Sequence, residues 1–477
     1  MKAKLLLGAT ALLASNHSLF AQQSDERMNV LFLLVDDLRW NSLHCMGTDY
    51  LITPNIDALA SDGVLFSNAY VTTSISCVSR ASIFTGQYMS RHGITDFGRN
   101  LSPAKFAETY PAVLKSSGYW TGVVGKYGVG PTRKGDFDVS KTYEGKHWFP
   151  ADGSKNIETL GGGYTRINGD SIHVTERNIQ DALQFLDERP DEKPFCLSVG
   201  FYATHAEDKH PEQYRYQPQS EHLYQDIEIP LSEKATDEYL HRLPEFLQSE
   251  TNEGRVRWHW RYDTPEKYQK MMKAYFRLLS EVDEGIGRIV AKLKEDGVYD
   301  NTLIVFMGDN GYFHSERQLA DKWYPYEEAL RVPLIIHDPR LDADSRNINN
   351  KDMALNVDLA PTILTAAKAE VPESMQGSDL SLLYIGSKKE INNNRKNWRQ
   401  DFFCEHPIIS NKERIPSSQG LVSSTKKYIL WPDYGKEEYF DLRKDPKEVI
   451  NQIDNNKYES AIEQSKTRFN TLRNLAK

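Results

Sequence analysis

Val30-Leu31-Phe32-Leu33-Leu34-Val35-Asp36-Asp37 decides the fold. An apolar run without alternation is followed directly by two acids. A strand with one wet face alternates apolar and polar residues, so an unbroken run marks a strand covered on both faces, as in a parallel sheet. The same signature recurs over 121–124, 195–199, 302–307 and 332–336, and all five runs are read as buried parallel strands. Helical patterns lie between them. One covers 54–62, with Thr53 as N-cap and Gly63 as its stop. Another runs from Thr264-Pro265-Glu266 to Gly297, with Met271, Tyr275, Leu278, Leu279, Val282, Ile286, Ile289, Val290 and Leu293 at helical spacing. Strands alternating with helices predict an α/β fold: a large, mostly parallel sheet sandwiched by helices.

Residues 212–263 are polar, aromatic-rich and irregular, and are read as a long insertion over one edge. The stretch Asn392-Asn393-Asn394-Arg395-Lys396-Asn397 reads as a surface linker. Beyond it, short strands at 428–431 and 438–442 and a final helix over 458–475 predict a smaller C-terminal α+β subdomain. The expected division is a leader over 1–21, a catalytic domain over 28–385 and the subdomain over 395–477.

The chain has 477 residues, 39% of them apolar and 26% charged, enough for a large core. A mean hydropathy of −0.60 excludes a polytopic membrane protein. Charge is 58 basic against 67 acidic residues, net −9, with no basic run, which argues against nucleic acid as a partner. An anionic substrate would have to be held by a local cluster of Lys, Arg and His. Lys2 and Lys4, the apolar stretch from Leu5 to Ala14, a polar break at Ser15-Asn16-His17 and Ala21 together read as a Sec-type signal peptide cut near Ala21. The apolar part is too short to span a bilayer. A periplasmic or secreted protein without membrane insertion is expected. Cys45, Cys77, Cys196 and Cys404 form no zinc spacing, and Cys196 inside an apolar run reads as a buried free thiol.

The chemistry gathers after the strands. Asp36-Asp37 follow one and Asp309-Asn310 another. In open α/β sheets ligands sit beyond the carboxyl ends of strands, so the two pairs can converge. An all-oxygen ligand set suits calcium or magnesium better than zinc. An Asp in such a place also serves as a turn residue. In Thr73-Ser74-Ile75-Ser76-Cys77-Val78-Ser79-Arg80-Ala81-Ser82-Ile83-Phe84-Thr85-Gly86 a short helix would begin at Ser76, where free N–H groups favour anions. Arg80 falls one turn on, on the same face. A nucleophile beside a guanidinium suits attack on a sulfate or phosphate ester; an ordinary capped helix fits the segment as well. Lys126, His205 and Lys322 also lie beyond predicted strand ends.

Together these segments resemble the type I sulfatases of the alkaline phosphatase superfamily, over residues 28 to about 445. The likeness is carried by Leu34-Val35-Asp36-Asp37, Thr53-Pro54-Asn55-Ile56-Asp57, Ser76 to Gly86, Gly125-Lys126, Gly308-Asp309-Asn310-Gly311, Lys322 with its Tyr-Glu-Glu follow-on, Val357-Asp358-Leu359-Ala360-Pro361-Thr362 and Asp441-Leu442 with Asp445-Pro446. The resemblance implies an alkaline-phosphatase-like fold. It also implies that the first residue of a C/S-x-P/A-x-R motif is oxidised to formylglycine. Counting back from Arg80 selects Ser76, not Cys77, which is similar to the serine-type bacterial enzymes matured by a radical SAM enzyme before export. Val78 stands where a small residue or proline is usual.

On this resemblance Asp36, Asp37, Ser76, Asp309 and Asn310 would hold one Ca2+ per chain. Hydrated formylglycine at 76 would attack sulfur; Arg80 and Lys126 would stabilise it, Lys322 would hold the sulfate and His205 would protonate the leaving alcohol. Three positions depart from the family pattern. Gly128 stands where a histidine follows the lysine, with His147, His173 and His314 as candidates to replace it; Arg317 stands for another histidine; Val422 stands for a substrate-binding basic residue. The expected substrate is a sulfated carbohydrate, with Tyr214, Tyr216, Tyr224, Trp258 and Trp260 of the insertion either stacking on sugar rings or packing the insertion. The alternatives are a phosphoester or phosphonate hydrolase using unmodified Ser76, and a decayed glycan-binding homologue.

Overall fold

The computed structural model describes residues 27–477 apart from 144, 161–164 and 209. The leader expected over 1–21 lies outside the described residues. The main sheet contains β1 (Asn29–Val35), β2 (Val64–Tyr70), β3 (Trp120–Gly125), β4 (Val139–Thr142), β5 (Phe195–Phe201), β6 (Thr302–Gly308), β7 (Arg331–His337), β8 (Ile348–Asn350) and β9 (Ala354–Leu355). Its order is β8-β2-β7-β6-β1-β5-β3-β4, with β9 also on β2. Along β1, Val30, Phe32 and Leu34 enter one core and Leu31, Leu33 and Val35 the other, none more than 2% exposed. Both faces are covered, which is why the run shows no alternation. Each such side chain contributes about 1.5–3 kcal/mol on burial.

Helices α1 (Pro54–Ser61), α3 (Val174–Glu188) and α5 (Pro265–Glu295) pack together on one face. Helices α2 (Ser76–Thr85) and α6 (Leu359–Ala366) cover the other through Phe84, Ile363 and Leu364. Thr53 occupies the N-cap position of α1 but its hydroxyl turns to Asp57, 3.2 Å away. The free N–H groups of α1 are met instead by the Asp283 carboxylate of α5, which accepts from Asn55 and Ile56 at 3.0 and 2.8 Å.

One strand overturns its expected direction. β7 runs antiparallel to both β6 and β2, whereas β1 is parallel to β5 and β6, and β3 to β4 and β5. The chain between β6 and β7 never crosses the sheet. It folds at the carboxyl edge into a small hairpin, Phe313–His314 with Ala320–Asp321, so β7 starts at the edge where β6 ended. The expected linker is also corrected. Residues 392–396 lie in a helix, α7 (Lys388–Lys396), whose capping box has Ser387 Oγ accepting from Glu390 N and Glu390 accepting from Ser387 N. That cap outweighs the weak helix preference of three asparagines.

The insertion holds short helices, the longest being α4 (Glu253–Arg261), which lies against Ala320–Asp321 at the strand ends rather than along a sheet edge. The C-terminal part is a four-stranded antiparallel sheet, β10 (Asp401–His406), β11 (Ser418–Ser423), β12 (Lys427–Trp431) and β13 (Lys436–Phe440), with α8 (Glu459–Ala476) across it. Phe469 of α8 packs on Phe403 and Tyr428.

Glu438 of this sheet accepts from Tyr326 Oη at 3.0 Å and Trp431 Nε1 at 2.8 Å, tying the segment after Lys322 to the subdomain. Burial pushes its carboxyl up to about 7, against the hydrogen bonds from Trp431 and Tyr326. The native state therefore prefers the protonated form; that stability is complete below about pH 4.5 and is lost as pH rises through about 7. Urea denaturation at pH 5 and pH 8 should show the native protein losing more stability than Glu438→Gln does, by on the order of 1–3 kcal/mol. Equal losses would assign Glu438 no part in the slope.

Candidate active site

Strand register builds the site. Val35 is paired with Gly308 on one side and Phe201 on the other, and Gly125 with Gly200. The carboxyl ends of β1, β3, β5 and β6 are thus level, and the residues that follow them emerge at one edge. Asp36, Asp37, Lys126, His205, Asp309 and Asn310 meet there, and Ser76, Arg80 and Lys322 come in from α2 and the hairpin. All nine residues singled out from the sequence are brought together.

Ser76 opens α2, and its Oγ lies 2.9 Å from Asp36 Oδ1, 3.3 Å from Asn310 Oδ1 and 3.2 Å from Lys322 Nζ. Arg80, one turn on, donates from Nε to Asp309 Oδ2 at 2.8 Å and faces Asp36 at 3.6 Å. Lys126 pairs with Asp36, and Lys322 with Asp37. Asp309 Oδ1 accepts from Asp37 N at 3.0 Å, and Asn310 Nδ2 donates to Asp37 Oδ1 at 2.7 Å. His205 Nε2 lies 3.6 Å from Asp37 Oδ2, while its Nδ1 lies 2.6 Å from the Ala206 carbonyl. Cys77 turns the other way, into an apolar cluster with Ile75 and Val78, where burial pushes its thiol up to about 12.

Three carboxylates, each at most 1% exposed, share this pocket. Burial alone would raise the Asp36 carboxyl, but Lys126, His205, Arg80 and Lys322 outweigh it and hold it below the usual carboxylate range. Asp309 moves the other way, to about 6, through burial and the Asp36 charge, despite Arg80 and Lys126. Burial disfavours the Lys322 ammonium, yet Asp37 and Asp36 raise it above its ordinary value. Ligand atoms of Asp36, Asp37 and His205 lie within 4.8 Å of one another. With Asp309 and Asn310 beside them, the set is dominated by oxygen, the chemistry that fits a hard divalent cation. The backbone around the cluster is strained: Asp37, Asp321 and Trp323 hold φ of 53°, 76° and 85°.

The sequence profile of the sulfatase family matches residues 28–369, most of the chain. The chain belongs to the sulfatase family. A second profile, that of the N-sulphoglucosamine sulphohydrolase C-terminal region, matches residues 315–475. The N-acetylglucosamine-6-O-sulfatase of Bacteroides thetaiotaomicron is 27% identical over 505 residues, covering 94% of this chain and 86% of that protein. Two solved structures share the fold. One, in complex with its substrate D-glucosamine-2-N,6-O-disulfate, gives a TM-score of 0.74 at 24% identity, over 94% of this chain and 98% of the other. The other, a phosphonate monoester hydrolase of Agrobacterium radiobacter, gives 0.76 at 19% identity, over 94% and 96%.

In this sulfatase Gly128, which stands where the family's histidine is usual, packs against Arg80. Gly128 has φ +75°, and a Cβ there would stand 2.7 Å from Arg80 Cδ. Gly200 is similar, its added Cβ falling 2.8 Å from Arg80 Nη1. The glycines give Arg80 its room, so a side chain at 128 would require Arg80 to shift from its observed position. No candidate replacement takes over the contact with Ser76. His147 reaches His205 instead, Nε2 to its carbonyl at 2.9 Å, and stacks on His173. His314 is buried beside Tyr262 and Tyr275. Arg317 is buried, donating to the Lys447 and Glu448 carbonyls, and Val422 lies in the core, so neither faces substrate.

Beside the buried cluster opens a cleft of about 620 Å³, lined by Lys126, His205 and Lys322 among others, with Ser76 itself buried behind them. The five insertion aromatics do not line it. Tyr214 and Tyr224 are buried, Tyr216 meets Arg277 and Glu221, and Trp258 donates to Ser315, so these four pack the insertion, whereas Trp260 is 41% exposed and lies outside the cleft. The aromatic walls are Phe97, Tyr202 and Trp323. Asp321 was also missed. Arg257 and Arg261 of α4 clamp it at 2.6 and 2.8 Å, fixing the backbone next to Lys322. Their spacing of four residues on one helix face was the available signal.

Replacing Gly128 by histidine, the family's usual residue, should therefore harm this enzyme. Sulfate release by Gly128→His should fall at least about tenfold and stability by about 2 kcal/mol. A gain in activity would show that Arg80 has another place to go.

Proposed function

We propose that this sulfatase removes sulfate from a sulfated carbohydrate, through formylglycine made from Ser76 and one calcium ion. The observation that carries the reading is the placement of Ser76 Oγ. It stands at a helix N-terminus among Asp36, Asn310 and Lys322, with Arg80 one turn behind. Calcium on Asp36, Asp37, Asp309, Asn310 and residue 76 would supply positive charge for the ester oxygens.

The chain's own groups do the rest. Arg80 and Lys126 steady the side chain at 76, and Lys322 Nζ, 3.2 Å from Ser76 Oγ, meets the sulfate oxygens. His205 Nδ1 donates to the Ala206 carbonyl, which leaves Nε2 to carry the proton toward the departing alcohol. An alkoxide leaves poorly near neutral pH, so this proton matters most for sugar esters. After transfer, a serine sulfate ester would be stable, whereas the hydrated aldehyde has a second hydroxyl whose deprotonation expels sulfate and restores the carbonyl. Oxidation of Ser76 is assigned to a radical SAM maturase acting before export to the periplasm or medium. Among the described residues no helix is long and apolar enough to cross a membrane. The resemblance to a sulfatase of N-acetylglucosamine supports a carbohydrate ester as substrate.

Mass spectrometry of the peptide holding residue 76, from protein matured in a competent host, should show loss of two hydrogens. Ser76→Ala should cut turnover at least about a thousandfold while stability changes by less than about 2 kcal/mol, and Cys77→Ala should keep activity. Sulfate esters should be cleaved in preference to phosphate and phosphonate esters, and chelation of divalent ions should abolish turnover. An unmodified Ser76 in fully active enzyme would give the site to phosphoester or phosphonate chemistry instead.

A further inference from the structure

The cleft bordered by Lys126, His205 and Lys322 is lined by several charged side chains, and nearly all are already neutralised from within. Among its acids, Glu207 faces Arg215 at 3.4 Å, and Asp208 and Asp321 share Arg257 at 2.7 and 2.6 Å. Among its cations, Lys126 is committed to Asp36 and Lys322 to Asp37, and Arg257 is shared between those two acids. Lys146 differs. It lines the same cleft, is half-buried, and has no carboxylate within ion-pair distance among the described residues.

A partly desolvated ammonium is costly unless a counter-charge meets it, and among the described residues no carboxylate does so at Lys146. The protein as a whole carries −9, so long-range attraction does not bring a polyanion in, and a local cation must hold it. The same cleft is also lined by Phe97, a residue 57% exposed whose ring can offer an apolar face to a sugar. The cleft, at about 620 Å³, has room for more than the ester that meets Ser76.

We propose that Lys146 is the subsite cation for a second anionic substituent, so that the preferred substrate is a multiply charged sulfated sugar. The second group is a further sulfate or a uronate carboxylate, on the same sugar as the cleaved ester or the next. This rests on the sulfatase reading of Ser76, and specifies its substrate class. The shared chemistry is an oxyanion within reach of an ammonium.

The test is calorimetric binding to Ser76→Ala protein, which holds ligand without turning it over. Three ligands are compared: a monosulfated neutral sugar, a disulfated sugar, and a monosulfated disaccharide containing a uronic acid. Lys146→Gln should weaken binding of the disulfated sugar, the uronate ligand or both by about tenfold, and leave the monosulfated neutral sugar within about twofold. The ligand that loses affinity identifies the oxyanion. Lys146→Arg should keep the preference. Equal loss for all three ligands, or loss for none, overturns the assignment. Sulfate release from the same ligands by unsubstituted, matured protein is measured in parallel. Absence of release with the binding pattern intact would remove the sulfatase reading and leave Lys146 as an anion subsite.

Discussion

Three carboxylates and three cations buried at one edge of a sheet set the terms for the rest of this molecule. Asp36, Asp37 and Asp309 are almost wholly removed from water, and so are Arg80, Lys126 and Lys322. Taking a charge out of water costs several kcal/mol per ion, so the cluster persists only where each charge has close partners of opposite sign. Removing any one of them leaves an uncompensated charge, which is why nearby geometry is held so tightly. The level ends of β1, β3, β5 and β6 deliver the acids and Lys126; α2 delivers Arg80; the hairpin delivers Lys322.

The surrounding structure makes room for these charges and then locks them. Gly128 and Gly200 clear the volume that Arg80 fills, and Gly125, at φ +80°, lets the chain turn under Gly200 toward Lys126. Arg257 and Arg261 hold Asp321 next to Lys322, and Tyr326 is fastened to Glu438 of the C-terminal sheet. The subdomain is thus mechanically part of the site although it lends no side chain to Ser76. Strained backbone at Asp37, Asp321 and Trp323 is tolerated because the ion pairs on either side over-determine it.

The same scaffold likeness extends to a glucosamine-disulfate-bound protein and to a phosphonate monoester hydrolase. A shared frame therefore does not select the ester. On the proposed reading, selection falls to the side chain at 76 and to what lines the neighbouring cleft. Here the cleft walls include Phe97, Tyr202 and Trp323, interleaved with charges that, among the described residues, are internally paired apart from Lys146.

Much of this was legible in the sequence. Unbroken apolar runs gave the strands, because burial on both faces is a local property of composition. Acids directly after two of those runs gave the metal-ligand candidates, because residues that follow a strand must emerge at its end. Ser76 and Arg80 were readable because four residues make one helical turn. Other features belong to tertiary structure alone. The reversal of β7 follows from where the loop between β6 and β7 stays, at the carboxyl edge of the sheet. The contact of Asp37 with Asp309 spans 272 residues, and the close approach of Gly128 to Arg80 has no local trace. Sequence fixes which chemical groups each segment carries; only the folded chain decides which of them share a pocket, because charge pairing and excluded volume act through space.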